Sequence, residues 1–164
     1  MREMPTERLD PRIKSVWRIN DAIGVAVTFL ACCVPFLIVG AVSPENASWA
    51  FVVVMAEVAL AVAGLVLVLA VLPPIRYARW RYQLTPEYLD IACGIVWRKR
   101  YIVPFIRVQN TDTQQGPILR AFGLSSVTVS TAAGSHQIPG VDNATAEQLR
   151  DRAAELARLA REDV

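Results

Sequence analysis

Two long apolar runs, at 22–42 and 49–72, lie almost back to back and constrain this chain more than any other feature. A helix of about 20 apolar residues, rising about 1.5 Å per residue, spans a hydrocarbon core about 30 Å thick. Each run is therefore long enough to cross a bilayer, and the short stretch 43–48 predicts a helical hairpin. The whole chain has 164 residues, is 54% hydrophobic and has a mean hydropathy of +0.34, more apolar surface than one small soluble core would hide.

Basic residues are distributed asymmetrically around the predicted hairpin. The connecting stretch 43–48 contains no Lys or Arg, whereas both flanks are rich in them. Because Lys and Arg concentrate on the cytoplasmic side of spanning helices, we expect both termini to face the cytoplasm. The flanking residues are Arg2, Arg8, Arg12, Lys14 and Arg18 before the first run, and Arg76, Arg79 and Arg81 after the second. The expected order is a cytoplasmic segment at 1–21, a transmembrane hairpin at 22–72 (22–42 and 49–72), and a cytoplasmic domain at 76–164.

Glu57 is an ionisable residue inside the second apolar run. An intramembrane charge is costly and therefore suggests a function, such as proton transfer or pairing with a cation on another subunit. A structural alternative is that the carboxyl group is protonated or reaches toward the interface. The small residues around it predict close helix packing, in a hairpin or an oligomer.

The pattern changes from continuous apolar residues to alternation after Pro73 and Pro74, which are predicted to end the second helix. Turn residues separate the alternating segments, which indicates short antiparallel strands in a small barrel or sandwich. A stretch bounded by Gly116 and Gly123 predicts one or two helical turns. The predicted strands are 78–84, 88–92, 95–103, one that follows Pro104, and a final hairpin of 126–131 and 135–138.

The last segment, 144–161, has the apolar spacing of an amphipathic helix. Thr145 and Gln148 fit a capping box, and Asp142 or Asn143 is an alternative N-cap. Several strands followed by one helix predict an α+β domain in which the helix plugs an open barrel end or covers a sheet. The stripe expected to face the sheet is Ala146, Leu149, Ala153, Leu156 and Ala160.

An ordered series of short motifs runs through the C-terminal half of the chain. The motifs are Arg81-Tyr82-Gln83-Leu84-Thr85, Tyr88-Leu89-Asp90-Ile91 with Gly94, Arg100 through Val103-Pro104, Ile106-Arg107-Val108-Gln109-Asn110, Gly116-Pro117-Ile118-Leu119-Arg120-Ala121-Phe122-Gly123-Leu124, and Ile138-Pro139-Gly140. This series, preceded by paired membrane helices, resembles the YdbS type of bacterial pleckstrin-homology-like (PH-like) domain. The resemblance implies a bent antiparallel sheet or barrel of about seven strands, capped by a C-terminal helix, in a multi-pass protein of the bacterial cytoplasmic membrane. It implies no particular ligand.

Three sets of residues are candidate sites. Basic side chains beside an anionic leaflet bind its headgroups, although the same residues also occur in any cytoplasmic anchor or on a solvated strand. The polar set is interpreted first as a hydrogen-bonded structural feature and second as a surface for a protein partner. The headgroup candidates are Arg76, Arg79, Arg81, Arg98, Lys99 and Arg100; the intramembrane candidate is Glu57; the polar set is Arg107, Gln109, Gln114 and Arg120.

The sequence contains no phosphate-binding loop, nucleophile motif or cluster of metal ligands, so we expect neither an enzyme nor a cofactor or metal. A net charge of +2 gives no case for nucleic acid. The leading hypothesis is a non-enzymatic, membrane-anchored scaffold that associates with a protein partner or itself, with anionic headgroup contact at the cytoplasmic face. The alternative is a small oligomeric transport or channel component that uses Glu57.

Overall fold

The computed structural model describes residues 4–162, so Arg2 lies outside the described residues. It divides into two compact units. The first, here the domain unit, comprises Met1–Val16 and Ile75–Val164, of which residues 4–16 and 75–162 are described; the second, here the hairpin unit, is Trp17–Pro74. This division places residues 4–16 in the same unit as the domain that follows the second helix.

The hairpin unit contains the two predicted apolar helices. Helix α1 is Ile13–Val42 and helix α2 is Ala47–Val66, joined by a 3₁₀ turn at Pro44–Asn46. Together with the helical residues that follow α2, they are long and apolar enough to cross a membrane. Contact between the helices is direct, since Arg18 Nε donates a hydrogen bond of 2.8 Å to the carbonyl of Leu69.

The prediction that Pro73 and Pro74 end the second helix is wrong. A π-helical stretch, Leu67–Val71, follows α2, and helix α3 then continues at Leu72–Arg79. The prolines fall in the first turn of α3, after the change of hydrogen-bond register, where a missing N–H is tolerated. The predicted strand at 78–84 is therefore wrong in its first part, and β1 begins at Arg81.

The domain unit contains two three-stranded antiparallel sheets, with strand orders β1-β2-β3 and β4-β5-β6. The strands are β1 Arg81–Leu84, β2 Tyr88–Cys93, β3 Lys99–Pro104, β4 Val108–Gln114, β5 Leu124–Thr131 and β6 Gly134–Asp142. The described chain thus has six strands, which corrects the expected number of about seven. Glu7 forms only a single-residue bridge with Tyr82, and Pro5, which has no N–H, cannot donate to a longer ladder there.

The two predicted helical segments of the domain are confirmed. Helix α4 is Pro117–Ala121, and helix α5 is Asn143–Glu162. The N–H of Ala144 donates to Asp142 Oδ2 at 3.2 Å, so Asp142 caps α5. The helix packs on β4, β5, β6 and residues 105–107 and buries Ala146, Ala153 and Leu156 of its predicted stripe. The α+β prediction is confirmed. The buried core includes Leu89, Ile91, Val103, Phe105, Val127, Val129, Ile138, Ala146, Ala153 and Leu156.

The N-terminal segment is part of the domain unit rather than a separate tail. Glu7 and Tyr82 exchange two backbone hydrogen bonds of 3.0 and 3.1 Å, and the N–H of Asp10 donates to the carbonyl of Gly140. Ile13 is buried against Gly140, where an added Cβ would overlap the isoleucine side chain. Burial, with a smaller contribution from the Glu7 charge, raises the pKa of Tyr82 to about 12.

An ion-pair network also joins this segment to the domain. The Arg12 guanidinium donates to both Asp10 and Asp142 and to the carbonyl of Phe122. Its hydrogen bond lowers the pKa of the Asp10 carboxyl group, despite an opposing effect of burial. The first membrane helix therefore begins in a segment fixed to the domain at several points.

Candidate functional site

Basic side chains from two separate parts of the sequence line one groove of the domain unit, with a volume of about 330 Å³. Five of the six headgroup candidates contribute to it, and none of the lining residues is acidic. We call this site the basic groove. Its lining comprises Met4, Pro5, Ala78, Arg79, Arg81, Ala92, Cys93, Gly94, Arg98, Lys99 and Arg100.

Strand register explains why these cations meet. Arg81 pairs with Ala92 across β1 and β2, and Ala92 pairs with Arg100 across β2 and β3. The small Ala92 therefore separates two arginines in one cross-strand row, while Lys99 lies opposite Cys93 at the end of the same ladder. Arg79 joins them from the last residue of α3.

Two of the five cations have structural hydrogen bonds. Arg100 donates to both carboxylate oxygens of the buried Asp90, at 3.0 Å from Nε and 2.6 Å from Nη2, and this pairing raises the pKa of the arginine. Arg81 Nη1 donates to the carbonyl of Trp80 at 2.7 Å. These bonds fix the floor of the groove, because paired guanidinium groups have a defined position.

The other three cations, Arg79, Arg98 and Lys99, are exposed and form no hydrogen bond or ion pair with the described residues. They are therefore available to an anionic ligand. Arg76, the sixth headgroup candidate, does not line the groove. Its charge and that of Lys99 lower the pKa of Cys93, but the larger effect of burial raises it above its ordinary value.

The turn between β2 and β3 forms one rim of the groove. Gly94 has a φ of +108°, and an added Cβ would collide with the carbonyl oxygen of Trp97. Beyond it, Val96 and Trp97 are 82% and 80% exposed. Neither residue is among the candidates predicted from the sequence. The available signal was two adjacent large apolar residues, in a turn between strands, directly before three basic ones.

The polar set is not assembled in the same way. Arg107, Gln109, Gln114 and Arg120 are all exposed, and in the described part of the chain no hydrogen bond joins any two of these side chains. The hydrogen-bonded feature in this region uses other residues. Gln115 Nε2 donates to the carbonyl of Leu124 and to Asn143 Oδ1, and Asn143 Oδ1 also accepts from Ser125 Oγ, each at 2.9 Å.

Glu57 faces α1 within the hairpin unit. The Cys33 thiol donates to Glu57 Oε2 at 2.8 Å, and Cys33 is buried. Glu57 also lines a groove of about 510 Å³ together with small or apolar residues of both helices, including Gly24, Val25 and Gly64. The carboxyl group therefore has a neutral donor as its neighbour, and it forms no ion pair within the described residues.

Residues 4–162 contain no group of three or more His, Cys, Asp or Glu side chains placed to hold a metal ion. The cysteines are free, with Cys32 exposed and Cys93 half-buried. His136, from β6, contacts Tyr101 with ring centroids 4.7 Å apart.

Comparison with known proteins covers both units. A family model described as a bacterial PH domain matches residues 22–157. The chain is also 35% identical to the transmembrane protein YdbS of Bacillus subtilis, over 164 residues and 100% of each protein. No solved structure matches the chain. These findings confirm the resemblance drawn from the motif series, and they cover the paired helices together with the sheets.

Proposed function

The chain belongs to the bacterial PH domain family and is a membrane protein, and on that premise we propose that it is a non-enzymatic module whose basic groove binds anionic lipid headgroups. Its hairpin is the anchor, and the termini and the domain lie on the cytoplasmic side. The convergence of five cations, four of which have no carboxylate partner among the described residues, is the observation that carries the proposal. Protein association, the other part of the leading hypothesis, would use surfaces outside the groove.

The position of the groove along the chain supports a headgroup ligand. Helix α3 has 8 residues and begins at the last residue of the apolar run, so its end lies about 10 Å further along the helix axis. The headgroup region extends about 5 to 8 Å beyond the hydrocarbon core on each side. When the apolar run fills the core, the Arg79 backbone is therefore expected just outside the headgroup region, from which a long arginine side chain reaches back to the phosphates.

Electrostatics also favours an anionic surface over a neutral one. Juxtamembrane Lys and Arg are attracted to an anionic leaflet, and the attraction decays within a Debye length of about 8 Å. Since Arg79, Arg98 and Lys99 have no competing ion pair in the described chain, their charge is available at this range. Arg81 adds a fourth positive charge, whereas the charge of Arg100 is balanced by the Asp90 carboxylate.

The test compares two charge-reversed double variants of the full chain, Arg79→Glu with Lys99→Glu and Arg107→Glu with Arg120→Glu. The full chain is needed because residues 4–16 are part of the domain unit, and a 76–164 fragment would lack them. Each protein is held in neutral maltoside micelles doped with phosphatidylglycerol or phosphatidylcholine. Native mass spectrometry then measures which lipid remains bound.

We expect the natural chain to retain phosphatidylglycerol in preference to phosphatidylcholine. The Arg79 and Lys99 pair of substitutions should lower that preference about tenfold or more, since each interfacial cation contributes a factor of about five. The Arg107 and Arg120 pair makes the same change in net charge and should have little effect. Equal loss in both double variants would show a net-charge effect and would contradict a groove-specific ligand.

A transport or channel role centred on Glu57 is the second candidate, supported by the groove that this residue lines between the helices. Glu57→Gln keeps the size of the side chain and an acceptor for the Cys33 thiol but removes the titratable carboxyl group. In proteoliposomes with an internal pH dye, a transport component would lose proton flux on this substitution. An anchor should show no flux in either protein and should keep its lipid preference.

A further inference from the structure

We infer that the turn between β2 and β3 inserts Val96 and Trp97 into the interfacial layer of the bilayer, so that the groove rim is a second membrane contact besides the hairpin. This inference rests on the proposed function, since it takes the groove to face anionic lipid. It adds an apolar anchor to an electrostatic one.

The exposure of the two side chains is the first observation. Val96 is 82% exposed and Trp97 80%, whereas the most exposed large apolar side chain of the membrane-spanning helices, Val42, is 75% exposed. Two adjacent apolar side chains held this far out of a folded domain indicate a surface that another phase covers. The turn itself is compact, since Gly94 has a positive φ and lies so close to the Trp97 carbonyl that a Cβ would not fit between them.

The residue types identify that phase. Tryptophan is enriched at the membrane–water interface, where its ring lies at headgroup depth and its N–H remains hydrated. Arg98 and Lys99 follow Trp97 directly and are exposed, so an apolar tip is bordered by cations. This combination matches an anionic bilayer surface, with hydrocarbon below and phosphate beside it.

The place of this turn in the domain unit also favours a lipid surface as its partner. Gly94, Arg98 and Lys99 line the same groove as Ala78 and Arg79, the last residues of the helix that leaves the membrane. Met4, at 69% exposure, lines it too and adds a third apolar side chain to this region. An apolar tip that borders a groove whose charged residues are all basic fits lipid better than a protein partner.

The experiment measures the depth of Trp97 in the full chain reconstituted in nanodiscs. The discs contain phosphatidylcholine alone or mixed with phosphatidylglycerol, with bromine near either the glycerol end or the methyl end of the acyl chains. The chain has 4 tryptophans, so the emission of Trp97 is obtained by subtracting the signal of Trp97→Phe. Because Trp97 is exposed, this conservative substitution should leave the fold intact, which thermal unfolding verifies. Aqueous iodide measures access from water.

We expect bromine near the glycerol end to quench Trp97 roughly twofold more than bromine near the methyl end, as for an interfacial ring. Iodide should quench it weakly, and quenching by bromine should be stronger in the anionic discs.

Bromine quenching that is equal in both discs, and unchanged by Arg79→Glu with Lys99→Glu, would keep the insertion but contradict the headgroup function. Strong iodide quenching in both discs would overturn the insertion, even if the lipid preference of the groove holds. Protection from both quenchers would also overturn it and would indicate a protein contact.

Discussion

The basic groove and the polar set are both rich in long polar side chains, but the two regions differ in how they are assembled. The groove combines the end of α3 and the strands β1, β2 and β3 with an N-terminal segment that is distant from them in sequence. The polar set comes from one stretch, 107–120, and its members point separately into solvent. The difference shows that convergence in space, rather than closeness in sequence, distinguishes a candidate binding site from a solvated surface.

The largest expected effect tests whether the N-terminal segment, which contributes Met4 and Pro5 to the groove, belongs to the folded domain. Ile13→Ala removes a buried side chain that anchors this segment against Gly140, and we expect it to cost about 3 kcal/mol of unfolding free energy. Ile19→Ala, in the same helix, changes a side chain that is 39% exposed and should cost much less. Guanidinium titration of the full chain in micelles, followed by near-ultraviolet circular dichroism, measures both. Equal costs would mean that the segment does not belong to the domain.

A pair of glycines compares the two regions directly. Gly94 borders the groove at a φ of +108°, so Gly94→Ala brings a Cβ against the Trp97 carbonyl and should cost about 2 kcal/mol. Gly116 lies beside the polar set at a φ of −74° with open space around it, and Gly116→Ala should cost about 0.5 kcal/mol or less. The same denaturation experiment applies. A tolerated Gly94→Ala would show that the turn is not fixed in this conformation.

The smallest effect concerns thiol chemistry in the groove. Burial raises the pKa of Cys93, so its thiolate fraction at pH 8 is lower than that of an ordinary cysteine. We expect alkylation of Cys93 to be roughly threefold slower or more than that of an exposed thiol introduced by Gln109→Cys in the polar set. As the pH rises above 9, the exposed thiol becomes fully ionised and its rate levels off, whereas Cys93 continues to accelerate. Peptide mapping after timed alkylation measures both rates, and parallel pH profiles would contradict the burial of Cys93.

Local pattern was sufficient for much of the fold. Continuous apolar runs predicted the membrane helices, and alternation predicted most of the strands. The amphipathic spacing of 144–161 predicted α5, because a helix that packs one face on the core repeats its apolar residues about every 3.6 positions. The rule that prolines stop helices failed at Pro73 and Pro74, because a preceding π-helical stretch placed them in the first turn of a new helix.

Long-range contacts explain what local pattern did not predict. Glu7 and Asp10 bind the domain through backbone hydrogen bonds. Every residue type can form such bonds, so the sequence does not reveal the partners. By sequence, Arg98, Lys99 and Arg100 fit either a headgroup site or a solvated strand face, since only the register through Ala92 brings Arg100 and Arg81 into one row. The role of Gln115 rather than Gln114 in the hydrogen-bonded feature depends equally on tertiary packing.

Contact between the groove cations and lipid phosphate is the central claim, and phosphorus–nitrogen recoupling in solid-state NMR tests it most directly. The full chain, labelled with ¹⁵N in Arg and Lys side chains, is reconstituted in phosphatidylglycerol bilayers and compared with Arg79→Glu and Lys99→Glu variants. We expect ³¹P to dephase the Lys99 ammonium and Arg79 guanidinium signals, which the variants identify by their loss. Dephasing confined to signals that persist in both variants would contradict the claim.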